Sequence, residues 1–272
     1  MTKTVLLTGA TDGIGLELAK ILVADGHHVL LHGRSASKLA EVEAELAAHP
    51  NGGEIEAMVA DLSDLAEVEA LARDVSARHG KIDALINNAG IFKTRSPITK
   101  HGLDSRFVVN TLAPYLLTKR LLPLMDDGGR VINLSSAAQA PVDPDALTGR
   151  IHVSDDFAAY AQSKLGLTMW SRAMAKGLGS NGPVIVAVNP GSLLGTKMVK
   201  QGFGTDGKDI SIGANILHRA VVSDDFAEAS GLYFDNDLGR FAPPHPDAMD
   251  DQKCAALTVL MAQTLAAALN GH

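Results

Sequence analysis

The feature that most constrains this chain is a repeated alternation between short, unbroken apolar runs and segments with helical spacing. Thr4–Thr8 is a compact apolar run, and Ile14, Leu18, Ile21 and Leu22 follow at helical spacing towards Ala24. The pattern then recurs. Further strands are predicted at His28–His32, Ile55–Ala60, Ala84–Asn87, Arg130–Leu134 and Val184–Val188. The intervening helices are predicted at Ala36–Ala48, Leu65–Arg78, Leu103–Met125 and Phe157–Leu178. Apolar runs without polar alternation suit strands covered on both faces. Their βαβα order requires right-handed crossovers and hence an α/β fold with a doubly wound parallel sheet.

No repeat, linker or low-complexity tract marks a boundary, so residues 1–272 are read as one domain. Apolar residues make up 46% of the chain, enough for a full core at this length. After Pro190 the alternation fades. Lys200–Lys208 carries three glycines among polar residues and reads as a mobile loop. A seventh strand is expected at Gly231–Phe234, and a Pro-rich segment, Pro243–Pro246, leads to a terminal helix from about Asp250.

The net charge of −7 argues against a nucleic-acid partner, which needs a basic surface. Cys254 is the only cysteine, so no disulfide forms within the chain, in keeping with a reducing compartment. The start of the chain lacks a signal-peptide pattern, and no apolar run is expected to span a membrane. A cytoplasmic location follows as an expectation. Of the ten histidines, none forms a metal-like pair, so no metal is expected.

Gly9, Gly13 and Gly15 sit between the first strand and the first helix. A dinucleotide pyrophosphate needs a tight turn, close backbone approach and N–H groups at a helix N-terminus, and glycines here provide all three. The G-xxx-G-x-G spacing alone also fits an ordinary Gly-rich turn. The second strand ends in Gly33 where an NAD-preferring site places an acidic residue for the ribose hydroxyl. Arg34 and Ser35 follow and suit a 2′-phosphate, so NADP(H) is the expected cofactor, with NAD(H) as the alternative.

Thr8-Gly-Ala-Thr-Asp-Gly-Ile-Gly15, Asp61-Leu62, Asn87-Asn-Ala-Gly90, Asn110, Ser136, Tyr160-Ala-Gln-Ser-Lys164 and Asn189-Pro-Gly191 occur in that order. Together they resemble the short-chain dehydrogenase/reductase family over roughly residues 4–196. The resemblance implies a Rossmann-type sheet of about seven strands. It assigns Gly9, Thr11, Asp12, Gly13, Ile14 and Gly15 to the cofactor pyrophosphate turn, and Asp61 with Leu62 to the adenine. Asn88, Ala89 and Gly90 flank the cofactor, Pro190 and Gly191 shape the chain beside the nicotinamide, and Thr196 bonds its carboxamide. Two departures stand out. Four residues separate Gly191 from Thr196 where three are commoner, and Asp12 stands where many NADP(H) members carry a basic residue.

The implied catalytic set is Asn110, Ser136, Tyr160 and Lys164. Tyr115 also has a lysine four residues on, Lys119, so spacing alone does not choose between the two tyrosines. Tyr160 follows a strand that ends in Ser135-Ser136, which matches the family order, and Ser136 is the serine that aligns. Tyr160 is then the proton donor, and Lys164, one turn on, is expected to lower its pKa and to hold the cofactor ribose. Ser136 orients the substrate oxygen, and Asn110 holds a relay water.

The expected function is hydride transfer between nicotinamide and a small-molecule carbonyl or alcohol. Residues 137–159 and 192–215 are the expected substrate loops. The segment Gly231–Arg240 and the Pro-rich tail are similar to the retinol-dehydrogenase and carbonyl-reductase-like branch, which implies a bulky apolar substrate and leaves room for a homo-oligomer. The alternatives are a non-catalytic dinucleotide-binding sensor or scaffold, and a nucleotide-sugar dehydratase or epimerase.

Overall fold

The central strands are mostly apolar because each one feeds two cores. A computed structural model of the chain describes residues 2–50 and 52–270. In β1 (Thr4–Leu7), Val5 and Leu7 enter one core and Leu6 the other. The same division holds along β2 (His28–Gly33), β4 (Ala84–Asn87), β5 (Arg130–Leu134) and β6 (Val184–Asn189), as at Val29/Leu30 and Ile132/Val131. Each fully buried Leu or Val contributes roughly 1.5–3 kcal/mol of transfer free energy.

One core lies under α1 (Gly13–Ala24), α2 (Ala36–Ala47) and α9 (Ser211–Val222), through Leu18, Leu22, Leu39 and Leu217. The other lies under α3 (Leu65–Arg78), α5 (Ala113–Leu121) and α7 (Asp156–Leu178), through Val75, Leu116, Leu165 and Trp170. The short helices α4 (Ser105–Phe107), α6 (Pro144–Leu147) and α10 (Pro246–Met249) add Phe107, Leu147 and Ala248 to this second core, whereas α8 (Lys197–Phe203) buries no residue.

The sheet order is β3-β2-β1-β4-β5-β6-β7-β8, with β3 at Ile55–Val59, β7 at Tyr233–Asp235 and β8 at Arg240–Phe241. The first seven strands in chain order pair in parallel, as the apolar pattern predicts. The chain reverses its direction of winding between β1 and β4, and a cleft at the carboxyl ends of the strands opens at such a switch point. The eighth strand is an addition to the expected seven. It pairs antiparallel with β7 through Phe234 and Asp235, and its two residues are too short to give a periodic signal.

Three other expectations are revised. The predicted helix Leu103–Met125 is broken: α4 passes into a π-helical segment, Val108–Leu112, before α5 begins. A single turn of this kind leaves no trace in hydrophobic periodicity. The expected loop at Lys200–Lys208 is half helix, because Thr196 caps α8 by accepting from the Val199 N–H, and Gly204 ends it at φ 66°. The terminal helix, α11 (Asp251–Asn270), is long and apolar enough by length and composition to cross a membrane, with a mean hydropathy of 1.2. Cys254, Leu257, Met261 and Leu265 on it are buried in the core that holds α7.

Candidate active site

The glycine turn is built around backbone positions that a side chain would block. Gly9 and Gly13 adopt φ 69° and 59°, where L residues are strained. A Cβ on Gly15 would stand 2.2 Å from the Gly9 carbonyl oxygen, so the first turn of α1 closes on the loop only with glycine there. Asp12 caps α1, accepting from the Gly13 N–H at 2.9 Å. Its carboxylate also pairs with Lys197 of α8 at 2.5 Å, which compensates the negative charge beside a helix N-terminus. The departure at Asp12 is thus matched by a basic residue from another segment. Ile14 packs towards Gly213 of α9, completing the turn's support.

Two side chains tie this turn to the neighbouring strands. Asn88 donates from Nδ2 to the carbonyls of Thr8 and Gly9, at 2.8 and 3.1 Å. The Ala89 N–H donates to Thr8 Oγ1 at 3.0 Å. From the other side, His32 accepts from the Gly9 N–H at Nδ1 (3.3 Å), which leaves Nε2 to donate to the Ala60 carbonyl at 3.0 Å. Burial lowers the His32 pKa to about 4, so the ring is neutral and joins the ends of β2 and β3 to the turn.

At the tip of β2, a Cβ on Gly33 would stand 2.7 Å from Thr11 Cγ2, which leaves no place for an acidic side chain at that position. Arg34 follows, exposed and without an ion-pair partner among the described residues. Ser35 caps α2 by accepting from the Lys38 N–H. Asp61 uses Oδ1 to accept from the Ser63 N–H and hydroxyl, at 2.9 and 2.8 Å, and Leu62 beside it is buried.

Where β4 ends, Gly90 faces both Asn110 and Lys164. A Cβ there would lie 3.4 Å from Asn110 Oδ1 and 3.4 Å from Lys164 Nζ. Asn110, in the π-helical segment, is fully buried. Its Oδ1 accepts from the Ile91 N–H at 2.8 Å, and its Nδ2 donates to the Ile91 carbonyl and to Ser163 Oγ, both at 2.9 Å. Through these bonds the side chain joins the β4 loop to α7. Lys164 Nζ donates to the Leu134 carbonyl at 2.7 Å and lies 5.7 Å from the Tyr160 ring centroid. Burial without a carboxylate partner lowers its pKa to about 8.

Tyr160 does not have the lowered pKa expected from the sequence. Burial pushes its phenol above the usual range, and a hydrogen bond from the Ser136 side opposes this only in part. Ser136 Oγ accepts from the Ala138 N–H at 3.1 Å, and its carbonyl accepts from Gln139 Nε2 and the Tyr233 hydroxyl. Ser135 is turned inward instead, its hydroxyl 2.7 Å from that of Thr168. Tyr115 lies elsewhere. It is buried edge-on against Trp170, in a groove between α5, α7 and α11.

The four-residue interval before Thr196 is accommodated by a turn in which Leu193 adopts φ 56°. Leu193 and Gly195 pair with Lys208, and Thr196 lies beside Gly13, whose added Cβ would stand 3.6 Å from Thr196 Cγ2. Pro190 and Gly191 are held from β7 and the turn that follows it. Asn236 donates to the Pro190 carbonyl at 2.9 Å, and Asp237 accepts from the Ser192 N–H and from Asn189 Nδ2.

A model of the family described as short chain dehydrogenase matches residues 3–206. The chain belongs to that family. Human retinol dehydrogenase 13 is 29% identical over 268 residues, covering 92% of this chain and 80% of that one. The crystal structure of an uncharacterized protein from Mycobacterium paratuberculosis superposes with a TM-score of 0.80 at 27% identity, over 97% of this chain and 93% of that one. A metagenomic short-chain oxidoreductase, solved in complex with NADP, is 31% identical with a TM-score of 0.63, over 82% and 92% of the two chains.

Four residues of this short-chain dehydrogenase stand at the site outside the set that the resemblance assigns. His32 braces the glycine turn, although a histidine ending an apolar strand reads equally well as packing. Asp237 and Asn236 carry the Pro190–Ser192 turn from a point over 40 residues further along the chain. Phe92 lies edge-on to Tyr160, with ring centroids 5.3 Å apart, and no local pattern marks it.

Proposed function

We propose that this oxidoreductase uses NADP(H) to interconvert a carbonyl and an alcohol, with an apolar substrate. The observation that carries the reading is Lys164: an unpaired, buried ammonium beside the Tyr160 ring, facing Gly90 at the mouth of the glycine cradle. A buried cation without a counter-charge is unfavourable unless a developing anion meets it.

A bound nicotinamide dinucleotide supplies or accepts the hydride. In reduction, Tyr160 gives its hydroxyl proton to the substrate oxygen while Ser136 holds that oxygen by a hydrogen bond. The phenolate left behind is stabilised by Lys164, whose remaining two donors are free for Tyr160 and a ribose. In oxidation the same phenolate is the base. Asn110 acts by fixing Ile91 and Ser163, and so the placement of Tyr160, whose carbonyl accepts from Ser163 Oγ at 2.7 Å.

The cradle suits a dinucleotide, because the positive φ of Gly9 and Gly13 and the close packing of Gly15 on the Gly9 carbonyl close a tight backbone turn on the N-terminus of α1. The closed space at Gly33 and the unpartnered Arg34 support a 2′-phosphate, and the NADP-bound metagenomic relative agrees. The similarity to a retinol dehydrogenase supports an apolar substrate. The test is a panel of aldehydes, ketones and alcohols with NADPH, NADH and their oxidised forms, run on the wild type and Tyr160→Phe. Turnover lost in the variant supports the reading. Tight cofactor binding with no turnover across the panel identifies a sensor instead.

A further inference from the structure

Aromatic residues are scarce here, at 4% of the chain, yet three of the seven phenylalanines gather around Tyr160. They come from three separate segments: Phe92 from the loop after β4, Phe157 from the first turn of α7, and Phe203 from the end of α8. Phe157 precedes Tyr160 by three positions and so shares its helix face. Phe92 packs edge-on against Tyr160 at 5.3 Å and against Phe157 at 6.4 Å. Phe203 stacks nearly parallel on Phe92, with centroids 5.6 Å apart and planes 11° apart. It also meets Phe157 edge-on at 6.5 Å.

Phe92 is buried, but Phe157 and Phe203 remain 47% and 51% exposed. Two half-bare phenyl rings beside a candidate proton donor form an apolar face that nothing among the described residues covers. The segment carrying Phe203 is attached at defined points. Lys197 at its start pairs with Asp12, and Gly204 and Gly207 after it adopt φ 66° and 76°. Gly202 lies flat on Phe92, where a Cβ would be 2.5 Å from Cε1, so the stack forms only with glycine at that position.

We propose that Phe92, Phe157 and Phe203 form an aromatic clamp over Tyr160 that selects flat, conjugated carbonyl or alcohol substrates. Phe203 on Phe92 takes the place that a planar substrate takes when α8 shifts to admit it. Stacked and edge-on contacts with a π-system favour a flat conjugated substrate over a saturated one of equal size. The clamp rests on the hydride-transfer reading for its chemistry, but not for its binding.

The test compares 2-naphthaldehyde with its fully saturated decalin counterpart, using the full chain and NADPH. Wild type is expected to favour the naphthyl substrate in kcat/KM by about three- to tenfold. Phe203→Leu, which keeps apolar bulk but removes the ring, is expected to abolish that preference through KM. Its kcat and its kinetics on the saturated substrate should stay within about twofold. Gly202→Ala should act in the same direction by displacing Phe92. A wild type without preference, or a Phe203→Leu enzyme that weakens on both substrates alike, overturns the clamp.

Binding is measured separately, by calorimetric titration of 2-naphthylmethanol into the NADPH complex, where no hydride transfer is available. A Kd raised about three- to tenfold in Phe203→Leu supports the clamp. An unchanged Kd overturns it. If that binding difference is present while no aldehyde is turned over, the clamp stands and the hydride-transfer reading falls.

Discussion

The Lys164 ammonium donates to the Leu134 carbonyl at 2.7 Å and pairs with no carboxylate among the described residues. This arrangement favours chemistry at the expense of stability. The lysine's folded pKa of about 8 lies below its ordinary 10.5, so the contribution to stability is complete only above 10.5 and is lost as pH falls through 8. At pH 7 the buried charge therefore destabilises the fold by up to about 3 kcal/mol. Lys164→Met is expected to be inactive yet about 1–2 kcal/mol more stable at pH 7, after allowing for the lost hydrogen bond. Urea unfolding of the cofactor-free protein measures this, and a less stable variant would contradict it.

Tyr160→Phe removes only the hydroxyl. Turnover is expected to fall by about 10²–10⁴ while NADPH affinity stays within about threefold, because the hydroxyl acts on substrate oxygen. Tyr115→Phe, whose ring packs on Trp170 away from Ser136, should leave kcat unchanged. Steady-state kinetics with a fluorescence titration of NADPH separates the two. Equal losses in both variants would remove the assignment.

Arg34→Ala is expected to weaken NADPH by about ten- to a hundredfold, the range of a charge-assisted hydrogen bond, and to leave NADH within about twofold. The exposed, unpartnered guanidinium and the closed space at Gly33 motivate this. Equal affinities of the wild type for the two cofactors would sink it.

His32 predicts an acid limit. Its folded pKa of about 4 lies below the ordinary 6.5, so the unfolded chain takes up the proton first. The stability it contributes is fully present above pH 6.5 and is lost as pH falls from 6.5 towards 4, by about 3 kcal/mol in all. In the folded protein Nδ1 takes up its proton only near pH 4, which removes the acceptor of the Gly9 N–H, so cofactor affinity should hold through that window and fall only as pH approaches 4. Unfolding free energies measured from pH 7 to 4.5 should be flatter for His32→Gln than for wild type, and its NADPH affinity should fall less near pH 4. Parallel curves would show that His32 does not titrate there.

The parallel sheet was legible because a strand covered on both faces is mostly apolar, and six such runs recur between helices of matching spacing. The two-residue β8 and the π-helical turn at Asn110 were not, since neither is long enough to show a period. The helix α8 was masked by Gly202 and Gly204, whose propensity argues for a loop. The cap at Thr196 and the packing of Gly202 on Phe92 outweigh that local preference.

By itself the sequence determined the layered α/β fold, the glycine turn and the family order that places Ser136 after a strand and Tyr160 with Lys164 one turn apart on a later helix. These are local properties, set by periodicity, backbone freedom and spacing along one helix. Only the tertiary structure decided that Lys197 answers the charge of Asp12, that His32 braces Gly9, and that three distant phenylalanines meet at Tyr160. It also reversed the expected direction of the Tyr160 pKa. Desolvation and contact depend on which segments meet in space, and no spacing along the chain encodes that.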